Sequence, residues 1–129
     1  MKSGRSVHFR LMETTSSSAD DTRSGWSPVL TRVRLKGAHH VVTRHGHAAA
    51  VLVPAGWHAQ AGGKVTDTIT AQVAVRELSD LLNRAYAGEH VAVTYRSKPA
   101  AVAVPPEWHA QVVSESPKDP LDVAPEEPA

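Results

Sequence analysis

One passage of the chain occurs twice. Residues 37–60, GAHHVVTRHGHAAAVLVPAGWHAQ, return 51 positions later as residues 88–111, GEHVAVTYRSKPAAVAVPPEWHAQ. Thirteen of the 24 aligned positions are identical, among them Gly37/Gly88, His39/His90, Pro54/Pro105, Trp57/Trp108 and His58/His109. Composition alone supplies about one or two matches over such a stretch, so this is a duplication. Two copies are too few, and each is too large, for a solenoid array. Each unit, at about 45 residues, lies near the size below which a separate core is marginal. The chain is therefore expected to fold as two small α/β units that pack on each other.

The second unit is the easier to parse. Thr68-Ile69-Thr70 reads as a short strand. Residues 71–87 place Ala74, Leu78, Leu81, Leu82 and Ala85 on one helical face, with Ser79 able to cap a second segment, so a broken helix is predicted. Gly88 ends it. Residues 90–96 and 99–104 form a hairpin joined at Ser97-Lys98, and Pro105-Pro106 opens a last helix. The order is β-α-α-β-β-α. At an offset of 52, Ser27/Ser79, Leu30/Leu82 and Arg32/Arg84 extend the match into the first unit. There Gly25 and the serines 16–18 make a poor helix signal. In front, residues 6–12 alternate Val7, Phe9 and Leu11 with polar or longer side chains, the pattern of an added edge strand. Residues 113–129 hold four prolines and six charges, too little apolar surface to order alone. The expected divisions are a first repeat over 1–60, a linker over 61–67, a second repeat over 68–112 and a disordered acidic tail over 113–129.

The formal net charge of +1 hides an asymmetry. Residues 1–98 carry thirteen Lys/Arg against seven Asp/Glu, whereas residues 99–129 carry one Lys against six acids. A basic body with an acidic tail fits a nucleic-acid binder with an interaction segment. With no cysteine, neither disulfides nor thiolate metal sites are available, and a reducing cytoplasm is the expected location. No apolar run approaches a membrane span.

Catalysis finds no support: there is no cysteine nucleophile, no glycine-rich phosphate loop, no HExxH and no spaced acid/base pair. No cofactor is implied. The cluster His39, His40, His45 and His47 meets no zinc spacing. On a hairpin His45 and His47 would share a face, but the favoured reading is polar strand and turn positions, able to add phosphate contacts when protonated. Trp57 and Trp108 are read as helix anchors on their own sheet rather than as stacking platforms.

The run Leu78-Ser79-Asp80-Leu81-Leu82-Asn83-Arg84, then Ala87-Gly88-Glu89, the strand Val91-Ala92-Val93-Thr94, and Lys98-Pro99-Ala100-Ala101-Val102-Ala103-Val104-Pro105 before Trp108 resembles the Phd/YefM family of antitoxins. Val41-Val42-Thr43-Arg44-His45-Gly46 and Ala50-Val51-Leu52-Val53-Pro54 repeat the resemblance in the first unit. It implies an α+β fold of two tandem Phd/YefM-like repeats packed as a pseudo-dimer. It also implies a repressor that binds duplex DNA at its own promoter, and a C-terminal extension that neutralises a cognate toxin, a small ribonuclease or a Doc-like protein. The family's Glu-Ala-Arg before the first helix is replaced by Val73-Ala74-Val75 with Arg76 following, and kept in sense as Asp21-Thr22-Arg23.

The candidate DNA-contacting residues are Arg23, Arg32, Arg76, Arg84, Arg44, Arg96 and Lys98, with Arg34 and Lys36 as further cations. Leu121 and Val123 are the candidate partner-binding anchors of the tail. The alternative is a protein-interaction module derived from the same fold that no longer binds DNA.

Overall fold

The computed structural model describes residues 12–115. The expected edge strand over 6–12 therefore lies outside the described residues except for Met12, which is not in a strand. The partner-binding candidates Leu121 and Val123 also lie outside them.

The twofold repetition of the sequence becomes a twofold repetition of elements. The first half runs β1 (Thr14–Ser18), α1 (Ala19–Ser24), α2 (Trp26–Lys36), β2 (His39–Arg44), β3 (His47–Pro54) and α3 (Ala55–Gln60). The second runs β4 (Asp67–Thr70), α4 (Ala71–Arg76), α5 (Leu78–Tyr86), β5 (Val91–Tyr95), β6 (Lys98–Val104) and α6 (Pro106–Glu115). The six strands of the described residues form one mixed sheet in the order β1-β2-β3-β6-β5-β4. Exchanging the halves returns the same order read from the other edge. The edge strands β1 and β4 pair in parallel with β2 and β5, and β3 meets β6 antiparallel at the centre. Even the irregularities correspond: the register shifts between Val42 and Thr43 in one hairpin and between Val93 and Thr94 in the other.

The sheet is covered on both faces, which is why β3 and β6 read as unbroken apolar runs rather than alternating ones. Leu30, Val33, Leu78, Leu81 and Leu82 of the long helices pack with Val42, Leu52 and Val93 on one face. Val51, Val53, Val102 and Val104 point the other way, towards Trp57 of α3 and Trp108 of α6. The periodicity of 71–87 is realised: Ala74, Leu78, Leu81, Leu82 and Ala85 are all buried. Each leucine contributes roughly 1.5–3 kcal/mol by leaving water.

Five points differ from the sequence expectation. The helix breaks at Glu77 (φ −115°, ψ 42°), not at Ser79, and Gly25 adopts almost the same backbone (φ −105°, ψ 30°) between α1 and α2. The break is thus a backbone device shared by both repeats, with no side-chain cap at either site. The first repeat is also complete. Its serine run forms β1, and Ser18 accepts a bond from the Asp21 backbone N–H to start α1, as Thr70 does from Val73 to start α4. Helix α6 continues to Glu115, so residues 113–115 belong to it rather than to a tail. Finally, the second hairpin turns at Arg96-Ser97, one residue earlier than expected, and β4 already begins at Asp67.

Under the outer strands the two repeats part company. Beneath β1, β2 and α1 a buried imidazole bridges hydroxyls: His40 Nδ1 lies 2.6 Å from Thr15 Oγ1 and Nε2 lies 2.8 Å from Ser17 Oγ, which is 2.7 Å from Thr22 Oγ1. The positions equivalent to Ser17, Thr22 and His40 in the second repeat are Ile69, Ala74 and Val91.

Candidate functional site

Two arrangements stand out, one on each face of the sheet. On the face covered by α3 and α6, the duplicated histidines and tryptophans meet at the seam between repeats. His39 Nδ1 bonds His109 Nε2 at 2.8 Å, and His90 Nδ1 bonds His58 Nε2 at 2.8 Å. These are equivalent atoms in exchanged roles, so each pair joins one repeat to the other. His39 stands edge-on to Trp57 at 4.5 Å and His90 edge-on to Trp108 at 4.8 Å, while the two indoles meet at 6.0 Å. In each imidazole pair one ring donates and the other accepts, which requires a neutral acceptor ring. Burial holds His39 down at about 4, with the neighbouring His109 adding to the shift. Burial likewise lowers His58, helped by His90, and lowers His90 and His109. The seam is therefore an uncharged, hydrogen-bonded aromatic lock at neutral pH.

Trp57 and Trp108 anchor α3 and α6 on the sheet, as the sequence reading expects, and they also meet each other across the seam. The fold separates the His39, His40, His45 and His47 cluster. His39 faces the seam and His40 the opposite side. His45 sits in the turn at φ 53° and His47 begins β3, so the two do not share a strand face. Among the described residues no group of three or more His, Cys, Asp or Glu side chains is placed to hold a metal ion.

On the face covered by α2 and α5, cations gather around one aromatic ring. The guanidinium carbons of Arg34 (α2, first repeat) and Arg96 (turn, second repeat) lie 4.4 Å and 5.1 Å from the Tyr95 ring centroid. Arg34, Arg96 and Lys98 line one opening beside Tyr95, and the start of α4 with Arg96 lines another. None of the three cations forms an ion pair among the described residues. Arg96 and Ser97 both hold positive φ, 52° and 67°, which makes the two-residue turn tight and places Arg96 at its tip.

The remaining candidates are dispersed. Arg23 lies 3.8 Å from Asp20 on exposed α1, and Arg76 lies 3.5 Å from Glu77 at the helix break. Arg44 ends β2 at the other hairpin, and Arg32 is exposed on α2. Arg84 is committed elsewhere: its guanidinium donates to Asp67 and Glu89 at 2.8 Å each, tying the end of α5 to the start of β4. The bonds from Arg84 hold both carboxyls below the usual range. Its duplicate Arg32 has no such acids, because Thr15 and Ala38 stand where Asp67 and Glu89 do.

Tyr95 and Trp26 were not among the sequence candidates, and Arg34 was only one of many cations. Nothing local marks them, because the cluster joins α2 of one repeat to β5 of the other. No family model, no curated protein and no solved structure matches this chain.

Proposed function

We propose that the chain is a DNA-binding, antitoxin-like repressor in which two Phd/YefM-like repeats form a pseudo-dimer within one polypeptide. The observation that carries this reading is the Arg34–Tyr95–Arg96–Lys98 cluster. Three cations held together with no acid paired to them among the described residues repel one another, and a polyanion relieves that repulsion by counterion release. Tyr95 packs against two of the guanidiniums, one from α2 and one from the hairpin turn, the kind of positioning that phosphate contacts require. The duplicated order β-α-α-β-β-α and the palindromic sheet agree with a fused homodimer, which is the arrangement that the resemblance implies. Neutralisation of a toxin rests on the resemblance and on the acidic segment with Leu121 and Val123.

The contact set shifts accordingly. Arg34, Arg96 and Lys98 lead, Arg44 and Arg32 are secondary, Arg23 and Arg76 each have an acid nearby, and Arg84 is a structural strut. The test is titration of the full chain with its own promoter duplex at several salt concentrations. The double variant Arg96→Ala/Lys98→Ala is expected to flatten the slope of log K against log[salt] by about two units. Curves that coincide with wild type would sink this interface. Absence of promoter binding by the wild type would transfer the reading to a protein-interaction module.

A further inference from the structure

We infer that the cleft between α2 and α4 is a binding site for a small aromatic carboxylate. The cleft encloses about 190 Å³ between Trp26, Leu30 and Arg34 of one repeat and Ala71, Val75 and Tyr95 of the other. Hydrocarbon and aromatic surfaces form its walls. A cavity of about 150 Å³ lined by apolar side chains is large enough to hold benzene, so this one admits a single substituted ring.

The polar groups decide what the ring carries. Among the described residues only two buried side-chain polar atoms lack a hydrogen-bond partner, Trp26 Nε1 and Arg34 Nε, and both residues line this cleft. Trp26 is 9% exposed and both nitrogens are almost wholly covered as the chain stands, so an acceptor reaches them only when the two side chains turn towards the cleft. Both orphans are donors, and one belongs to a permanent cation. Leaving buried donors unmade is costly in a folded chain, which makes an acceptor the missing partner. A carboxylate supplies two acceptor oxygens and the opposite charge, and the guanidinium is shaped to receive it. A neutral apolar ligand would fill the walls and leave both donors unanswered. The site shares Arg34 with the proposed DNA interface but does not depend on DNA binding, and its test contains none.

The test is titration of the full 15N-labelled chain with benzoate, and in parallel with benzyl alcohol, following the three indole N–H resonances. Trp26→Phe assigns the Trp26 signal by deleting it. Benzoate is expected to move the Trp26 indole saturably, with a Kd of about 1 mM or tighter, as suits so few atoms. Benzyl alcohol should bind at least about tenfold more weakly, since it lacks the charge-assisted pair. Arg34→Gln should weaken benzoate by about tenfold or more without changing the alcohol. Ala71→Leu, which fills the cleft from a partly exposed position, should abolish both. The inference fails if the Trp26 indole does not saturate, if the alcohol binds as well as the carboxylate, or if the responding indoles are those of Trp57 and Trp108.

Discussion

The outer strand pair of the first repeat is held over hydroxyls and an imidazole, whereas that of the second is held over hydrocarbon. His40 with Thr15, Ser17 and Thr22 fills the space that Val91, Ile69 and Ala74 fill in the other half. Both versions support the same parallel edge strand, the same helix start and the same break before the second helix. The backbone plan is thus insensitive to the chemistry beneath it, provided that every buried polar group finds a partner. The seam behaves in the opposite way. There both copies keep the same histidines and tryptophans, because each residue's partner is its neighbour's duplicate and one change would disturb both repeats.

The largest effect should come from moving the polar solution into the apolar half. Val91→His can meet Asp67, which stands in the place of Thr15, with one ring nitrogen, but it leaves the other against Ile69 and Ala74 and overfills a buried site, so the loss of folding free energy in urea should be about 3 kcal/mol or more. A loss below about 1 kcal/mol would show that the second edge tolerates polarity as the first does.

Acid comes next. The buried histidines bind protons less readily when folded than when unfolded, so stability is full above the unfolded value of 6.5 and falls as pH drops towards about 4, the value for His39. His39 alone accounts for a loss on the order of 2–3 kcal/mol across that window. His40 adds to it, its own value lowered by burial and by Arg32. Urea melts at stepped pH should show a steeper acid decline for wild type than for the triple variant Ser17→Ile/Thr22→Ala/His40→Val. Parallel declines would remove His40 from the account.

At constant neutral pH, His40→Val alone should cost about 1–2 kcal/mol by stranding the Ser17 and Thr15 hydroxyls. The triple variant should recover most of that loss, because it replaces Ser17, Thr22 and His40 by the packing of the other repeat and leaves only the half-buried Thr15 without its partner. Failure of the triple variant to recover would mean that the two edges are not interchangeable. The smallest effect concerns the turns. Ser97 at φ 67° occupies the place of Gly46 at φ 79°, so Ser97→Gly should stabilise the chain by about 0.5 kcal/mol, visible as a raised Tm, and Gly46→Ser should do the reverse.

The duplication made the element order, the buried helix face and the hairpins legible, because periodicity and repetition are local properties. The helix break was legible as a fact but misplaced at Ser79. Gly25 and Glu77 share no side-chain chemistry, and only their common backbone marks the site. The serine run was misjudged because low helix propensity was the wrong question for residues that pair with His39–Thr43 as a strand. The lock of His39, His58, His90 and His109 was present in the identities themselves. Its partners, however, lie 70 and 32 residues apart and on opposite repeats, where no spacing rule reaches. The Tyr95 cluster was hidden for a further reason: Arg34 and Tyr95 are not duplicated as such, since Tyr86 and Arg44 stand at the corresponding positions.

The short connection over 61–66, between α3 and β4, has a consequence for mass action. A seam of imidazoles and indoles assembled from two separate chains would come apart on dilution, because its formation would depend on how much protein is present. Here the second repeat is presented to the first at roughly millimolar effective concentration, set by the tether alone. The crossed histidine pairs therefore form to the same extent in a dilute solution as in a concentrated one, and a few molecules suffice to keep the paired form intact.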